Sequence, residues 1–471
     1  MGAAAKVAGA LTLTLVLGAG GYVAADAYDV VPGLITLEPV PAPAEPFPTA
    51  PAAVPAPDVE PALTPLDPGA PLPAADQLFA LAQGLVADPR MGASTGVVVT
   101  DTLTGQVLVD LDGARPRVPA STAKLLTAMA AITALGPDRT LDTTVVQPAP
   151  GQLVLVGGGD MMLAADAGSP DAVNGRAGLV DLAAQAVRGL RLAGVTTVSL
   201  GVDDTLFSGP AIHPGWKPAD VAAGFVAPVA ALGINVAKTR EGDYPPRFPD
   251  PAMHAAQTFA ALLVGQGIAV TATSRQTASD GAVELARVQS APLRDVVRYA
   301  EHQSDNTITE VLGRLVAVEH GLPGSFQGAT SAVLGEVGRQ GIDTTGAVLA
   351  DCSGLATGSA LPAILLTGLL QTAADPGRPE LLPVVVDLAV GGWQGTLAER
   401  FGDGPAQGMV RAKTGSLPGV TSLAGTVQTQ DGRHLVFAVL ADATPPGGQL
   451  GPRAAIDGFL QQLAGCGCQL P

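Results

Sequence analysis

The stretch Ser121-Thr122-Ala123-Lys124 sets a hydroxyl and an amine three positions apart. At the start of a helix that spacing puts both on one face and within reach of each other, a nucleophile beside its base. A base role selects lysine, whose pKa drops on burial or beside another cation, whereas arginine stays charged. The chain carries 20 Arg and only 5 Lys, so each lysine invites the question of what arginine could not do. Lys124 and Lys413 occupy the suggestive settings. Ser304-Asp305-Asn306 brings a second hydroxyl and an amide to a break between two predicted helices. Lys413-Thr414-Gly415, followed by Ser416, brings a second cation to a predicted strand. Alone, Ser121 reads as a helix N-cap, Ser304 and Asn306 as a turn or cap, and Lys413 as a solvated strand residue. The three motifs together by chance have a frequency below roughly one in a thousand, even before order and context are required. Jointly they point to a catalytic serine beside a lysine base.

Those groups need a scaffold. Gly96 to Asp101 and Gln106 to Asp110 are β-rich runs around Thr102-Leu103-Thr104-Gly105, which predicts a hairpin. A helix should begin near Ser121, because Leu125, Leu126, Met129 and Ile132 recur at helical spacing, and Gly136-Pro137 should stop it. A strand at Leu153 to Val156, helices at Leu179 to Leu192 and His254 to Val264, and a strand at Thr197 to Val202 read as an inserted domain. Helices follow at Leu293 to His302, Thr307 to Val316, Leu361 to Ala374 and Leu382 to Ala389. Strands at Met409 to Thr414, Thr421 to Val427 and Leu435 to Ala441 precede a last helix, Ala454 to Leu463. The N-terminal and C-terminal strands can complete one antiparallel sheet, giving an α/β fold of the α+β type.

The three motifs in this order are the serine penicillin-recognising set. The chain resembles the penicillin-binding proteins, in particular the class C low-molecular-mass D-alanyl-D-alanine carboxypeptidase/endopeptidase family. The long insertion fits, with 183 positions between Ser121 and Ser304. So do Leu155-Val156-Gly157-Gly158-Gly159-Asp160, Asp351-Cys352-Ser353-Gly354-Leu355, and Gly395-Thr396-Leu397 with Arg400. Cys352 stands where Gly or Ala is more usual. The resemblance covers roughly Gln77 to Leu463 and implies a penicillin-binding/β-lactamase-like transpeptidase fold, an antiparallel sheet flanked by helices. It implies a serine D-alanyl-D-alanine carboxypeptidase, with endopeptidase action open, working on peptidoglycan stem peptides through an acyl-enzyme and inhibited by β-lactam antibiotics. It also implies roles. Lys124 takes the Ser121 proton, Ser304 relays it to the leaving amine, and Asn306 orients the substrate amide. Lys413 and Thr414 bind the terminal carboxylate, and the backbone N–H groups of Ser121 and Ser416 form the oxyanion hole. Gly415 belongs to the same substrate-binding strand. A β-lactamase and a non-catalytic peptidoglycan-binding envelope protein are the alternatives.

Composition narrows the field. The formal net charge is −17, and aromatics are 3% of the chain, so nucleic acid is excluded as a partner. Three cysteines cannot make a disulfide framework, and no HExxH or paired CxxC is present, so no metal or other cofactor is expected. Gly92-Ala93-Ser94-Thr95-Gly96 satisfies GxSxG but precedes a strand where that elbow must follow one. Gly157-Gly158-Gly159 reads as a tight turn, and the five histidines as surface or capping residues. Behind Lys6, the apolar run Val7 to Ala25 ends in Ala25-Asp26-Ala27, which makes residues 1–27 a signal peptide or membrane anchor and the protein extracytoplasmic, secreted or anchored. Membrane contact is expected through this segment alone. From Pro32 to Pro73 there are 14 prolines, five acids and no Lys or Arg, within an expected linker of residues 28–76. The expected catalytic domain is discontinuous, 77–145 and 282–471, around an insertion at 146–281.

Overall fold

The computed structural model describes residues 18–28, 30–31 and 67–466. The chain divides into two compact units, Met1–Pro65 and Leu66–Pro471. In the first, residues 18–27 are helical. Most of the apolar run and of the proline-rich stretch lies outside the described residues. Among the described residues no helix is long and apolar enough to cross a membrane.

In the second unit the strands are, in chain order, β1 (Thr95–Asp101), β2 (Val107–Leu111), β3 (Asp142–Ala149), β4 (Gln152–Gly157), β5 (Asp160–Leu163), β6 (Thr197–Asp203) and β7 (Leu232–Ile234). They continue as β8 (Ala269–Arg275), β9 (Val283–Gln289), β10 (Ala389–Val390), β11 (Val410–Leu417), β12 (Val420–Gln428) and β13 (His434–Ala441). The expected single antiparallel sheet is present, with six strands in the order β10-β11-β12-β13-β1-β2. Its strand β1, one in from the edge, is buried throughout. Side chains alternate across a strand, so Val97 and Val99 face one core and Val98 the other. Leu435, Phe437 and Val439 of β13 join the first core, and Val436, Ala438 and Leu440 the second. Helices Ala75–Val86 and Leu450–Ala464 cover the first face, and helices Lys124–Leu135 and Ala363–Ala373 the second. At the strand ends the guanidinium of Arg433 forks onto both carboxylate oxygens of buried Asp101, each at 2.6 Å. A bidentate geometry is what lets such a pair repay its desolvation.

Helix Lys124–Leu135 is apolar on every side and accordingly buried on every side, against the helices Leu293–Gln303, Asn306–Glu319 and Phe326–Arg339. It ends where predicted, at Gly136 with φ 85°. The predicted helix Leu382 to Ala389 is instead a four-residue turn of helix, Pro383–Val386, followed by edge strand β10. Proline at 383 fits only a first helical turn, and the β-branched run behind it favours extended backbone.

A second sheet of order β8-β6-β4-β3-β9 carries helices Leu179–Leu192 and Pro251–Gly265. It runs from Asp142 to Gln289, so position 146 falls inside β3 and position 281 just before β9. Its core residues Leu153, Val198, Leu200 and Phe259 are continuous with those of the helices behind the first sheet.

Candidate active site

Ser121 lies in a single turn of 3₁₀ helix, Ala120–Ala123, directly before helix Lys124–Leu135. The N-cap positions of these two helices are Pro119 and Ala123, so the N-cap reading of Ser121 fails. Its hydroxyl meets an amine instead: Lys124 Nζ is 2.9 Å from Ser121 Oγ, 2.7 Å from Asn306 Oδ1 and 2.7 Å from the Ser353 carbonyl. Asn306 in turn donates through Nδ2 to the Phe225 carbonyl at 2.9 Å. A second lysine–serine pair stands beside the first, with Lys413 Nζ 2.9 Å from Ser304 Oγ and 3.2 Å from the Thr414 carbonyl. Thr414 donates to Thr396 Oγ1 at 3.0 Å, and Arg453 Nη2 donates to Ser416 Oγ at 2.8 Å.

Both lysines are 1% exposed. Burial, and next the charge of Lys413, pulls the Lys124 pKa down to about 7, against the opposing pull of Glu301, Asp351 and Glu310. Burial brings Lys413 to about 8, with Glu301 opposing. Each amine therefore sits close to its titration point at neutral pH, Lys124 the more readily neutral of the two. Such tuning suits a base next to a cation.

The turn carrying Ser121 is clamped by two glycines. A Cβ on Gly415 would lie 2.0 Å from Ser422 Oγ and 2.6 Å from the Pro119 carbonyl. At Gly354, φ is +76° and a Cβ would lie 1.9 Å from the Ala120 carbonyl. Loop Asp351–Ala356, which carries Gly354 and the Ser353 carbonyl, is fixed by acids. Glu310 accepts from the backbone N–H of Ser353 at 2.8 Å and of Cys352 at 3.2 Å. Asp351 accepts from Gly354 N, Ala356 N and the Trp216 indole, each at 2.7 Å. Cys352 fits because position 313 is glycine: a Cβ there would be 2.3 Å from its sulfur.

These groups border a cleft of about 680 Å³. Its walls include Gly354 and Leu355 from the loop, Thr357 just beyond it, Thr414 and Ser416 of β11, and Thr396 beside that strand. Lys217, Asp220, Phe225 and Tyr244 reach it from the chain between β6 and β8. The structure thus brings Ser121, Lys124, Ser304, Asn306, Lys413, Thr414, Gly415 and Ser416 into one site. Sequence reasoning missed the roles of Glu310, Asp351, the Ser353 carbonyl and the Phe225 carbonyl. It also missed Glu301. That residue is legible in retrospect, because it continues the buried stripe Leu293, Val296, Val297 and Ala300, where a carboxylate needs a reason.

The model of the D-Ala-D-Ala carboxypeptidase 3 (S13) family matches residues 79–247 and 238–463. The chain belongs to that family. Within the S13 group it is 40% identical over 422 residues to a carboxypeptidase of Mycobacterium tuberculosis, covering 88% of this chain and 89% of the relative. It is 38% identical over 417 residues to carboxypeptidase DacB of Mycolicibacterium smegmatis, covering 87% and 88%. Penicillin binding protein 4 (dacB) of Haemophilus influenzae shares the S13 chain's fold, with a TM-score of 0.69 at 23% identity over 82% of this chain and 98% of that one. The protein is a serine-type D-Ala-D-Ala carboxypeptidase of the penicillin-binding class.

In this S13 enzyme, Gly415→Ala should displace the Pro119–Ala120 turn and cut β-lactam acylation by about a hundredfold, with about 1–3 kcal/mol of lost stability from overpacking. Stopped-flow acylation and a denaturant titration measure the two effects; unchanged acylation would mean the turn tolerates the shift.

Proposed function

We propose that Ser121 is the nucleophile of a D-alanyl-D-alanine carboxypeptidase acting on peptidoglycan stem peptides. The observation that carries this is the pair of buried lysine–serine contacts, Lys124 with Ser121 and Lys413 with Ser304, each at 2.9 Å on one cleft. Neutral Lys124 takes the Ser121 proton as Oγ attacks the carbonyl of the penultimate D-alanine. Ser304, held by Lys413, passes a proton to the departing amine. Asn306, braced between Lys124 and the Phe225 carbonyl, orients the substrate amide. Lys413 and Thr414 receive the terminal carboxylate, Gly415 leaves room for the strand to approach, and the N–H groups of Ser121 and Ser416 serve as oxyanion hole. Water then hydrolyses the ester. A β-lactam follows the first half of this path and stalls as acyl-enzyme.

A substrate of this kind lies outside the cytoplasm, in keeping with residues 1–27 as an export or anchoring segment and 28–76 as a spacer. The division into catalytic segments around an insertion belongs to the same proposal, with its edges at Asp142 and Gln289. The test is incubation with a fluorescent penicillin, then denaturing electrophoresis and mass spectrometry of a muropeptide digest. A covalent adduct on Ser121 and loss of one D-alanine are expected; no adduct overturns the reading.

A pH profile follows from the two lysines. Acylation needs Lys124 neutral, so its rate should rise through about pH 7; carboxylate binding needs Lys413 charged, so it should fall through about pH 8. Second-order acylation constants from pH 5.5 to 10 should trace a narrow bell. A rate flat across the lower limb would remove Lys124 as the base.

A further inference from the structure

Three acids lie buried round the lysines of the site: Glu301, Glu310 and Asp351. Two of them are held by N–H donors. Glu310 accepts from the Ser353 and Cys352 amides, and Asp351 from Gly354 N, Ala356 N and the Trp216 indole. Glu301 differs: it is 4% exposed, and its Oε2 is buried without a hydrogen-bond partner among the described residues. A carboxyl group in that state destabilises a fold unless its charge is answered by another. Its backbone carbonyl accepts from Ser304 N at 3.3 Å, at the C-terminal end of helix Leu293–Gln303, so the acid stands directly before the serine that Lys413 contacts.

The charges near it can be named. Helix Lys124–Leu135, helix Asn306–Glu319 and the turn Gly395–Leu397 pack against its helix. The first carries one ionisable residue, Lys124, and the turn carries none. In the second, Glu310 faces the loop amides, Arg314 the carbonyls of Ser208, Pro210 and Gly324, and Glu319 pairs with Arg139. On its own helix Arg294 pairs with Asp138 and Arg298 with Asp295, while Tyr299 and His302 line a separate cavity. The carboxylate is left with the lysine pair, Lys413 of β11 ahead of Lys124. Burial pushes the Glu301 carboxyl up, and those two amines draw it back. Glu301 in turn raises both amines. Among the described residues it is the one charge set against the burial of Lys413, whereas Lys124 has Asp351 and Glu310 as well.

The proposed mechanism asks opposite things of two like groups. Lys124 must be neutral to take a proton and Lys413 charged to meet a carboxylate, yet both are primary amines 1% exposed. Burial alone drives both toward the neutral form. We infer that Glu301 is the positioning residue that separates them, its buried carboxylate holding the charge on Lys413 so that carboxylate binding and proton removal run at one pH. The inference rests on the acyl-transfer reading above and adds to it a residue that acts through Lys413 and not on the substrate. Its sign follows from the charges. Without the carboxylate, Lys413 loses its proton at lower pH. Lys124 then loses a supporting carboxylate and an opposing ammonium together, so its own titration moves little.

The experiment measures second-order acylation constants with a fluorescent penicillin from pH 5.5 to 10 for the full chain and for Glu301→Gln, Glu301→Met and Glu301→Asp. It adds KM and kcat for D-alanine release from a pentapeptide muropeptide at pH 8. Glu301→Gln should bring the falling limb down from about pH 8 by about one unit and leave the rising limb within about half a unit of pH 7. The acylation constant then drops about fivefold at pH 8 and stays within about twofold at pH 6, and the loss on the muropeptide lies in KM. Glu301→Met puts an apolar chain of similar length into an apolar stripe, so it should fold at least as stably in a thermal melt and show the same displaced limb. Glu301→Asp keeps the charge and should keep the falling limb within about half a unit of the wild type. A falling limb that stays near pH 8 in folded Glu301→Gln and Glu301→Met overturns the inference and leaves the acyl-transfer reading standing. So does an equal fall in rate at every pH, which marks a packing role alone. A wild type that penicillin does not acylate overturns that reading and the inference with it.

Discussion

Ser121→Ala should abolish covalent penicillin labelling and lower D-alanine release by about 10⁴-fold or more, since a nucleophile and its base act as a unit. The fold should survive. Ser121 caps nothing, and its side chain's recorded contact is the Lys124 amine at 2.9 Å, so removal forfeits one hydrogen bond worth about 0.5–1.5 kcal/mol. Intact-protein mass spectrometry after β-lactam incubation reads the first effect, and a thermal melt the second. Continued acylation at the normal rate in a folded variant would mean that another serine, Ser94 included, is the nucleophile.

Lys124→Arg should be nearly as damaging, at about 10²–10⁴-fold in acylation rate, the range that general-base catalysis supplies. Charge is kept, so electrostatics alone cannot explain a loss. What disappears is the capacity to accept a proton, because guanidinium stays protonated where the buried amine is brought to about 7. Space matters as well: the amine sits among three oxygens at 2.7 to 2.9 Å, a nest that fits a point donor better than a planar fork. Acylation kinetics with a slowly hydrolysed β-lactam make the measurement, and wild-type rates would end the assignment of Lys124 as base.

The three motifs that meet at the cleft, and the sheet, were legible in the sequence because they depend on local order. Strong periodicity placed helix Leu179–Leu192 at its observed ends, and turn residues placed the β1–β2 hairpin. Helix Phe326–Arg339 escaped notice: Gly328, Gly335 and Gly338 dilute its pattern, and close packing of Gly328 against the Pro323 carbonyl explains why one of them is needed. Strands β8 and β9 were hidden for another reason. They are the edges of the second sheet and mostly exposed, so neither shows a clean apolar alternation. In the site, side chains with chemistry were visible and backbone groups were not. No residue type announces that the Ser353 carbonyl will face a lysine, because any residue carries that oxygen. Glu310 and Asp351, which aim it, draw their meaning from neighbours far along the chain.

The order of strands in the first sheet has a consequence for how the chain comes to be active. β1 is laid against β13, and the Arg433–Asp101 pair that locks their ends joins positions 332 apart. Lys124 likewise waits for Asn306, 182 positions on, and for Ser353, 229 positions on. Loop closure over such distances must precede the contacts that reward it, so this topology folds slowly. A growing chain holds its serine early but lacks the strand that brings Lys413 to Ser304 until almost the whole sequence has been made. Hydrolytic power in this protein is therefore a late product of folding: a partly made or C-terminally truncated chain carries Ser121 and Lys124 without the Lys413–Ser304 pair that stands beside them.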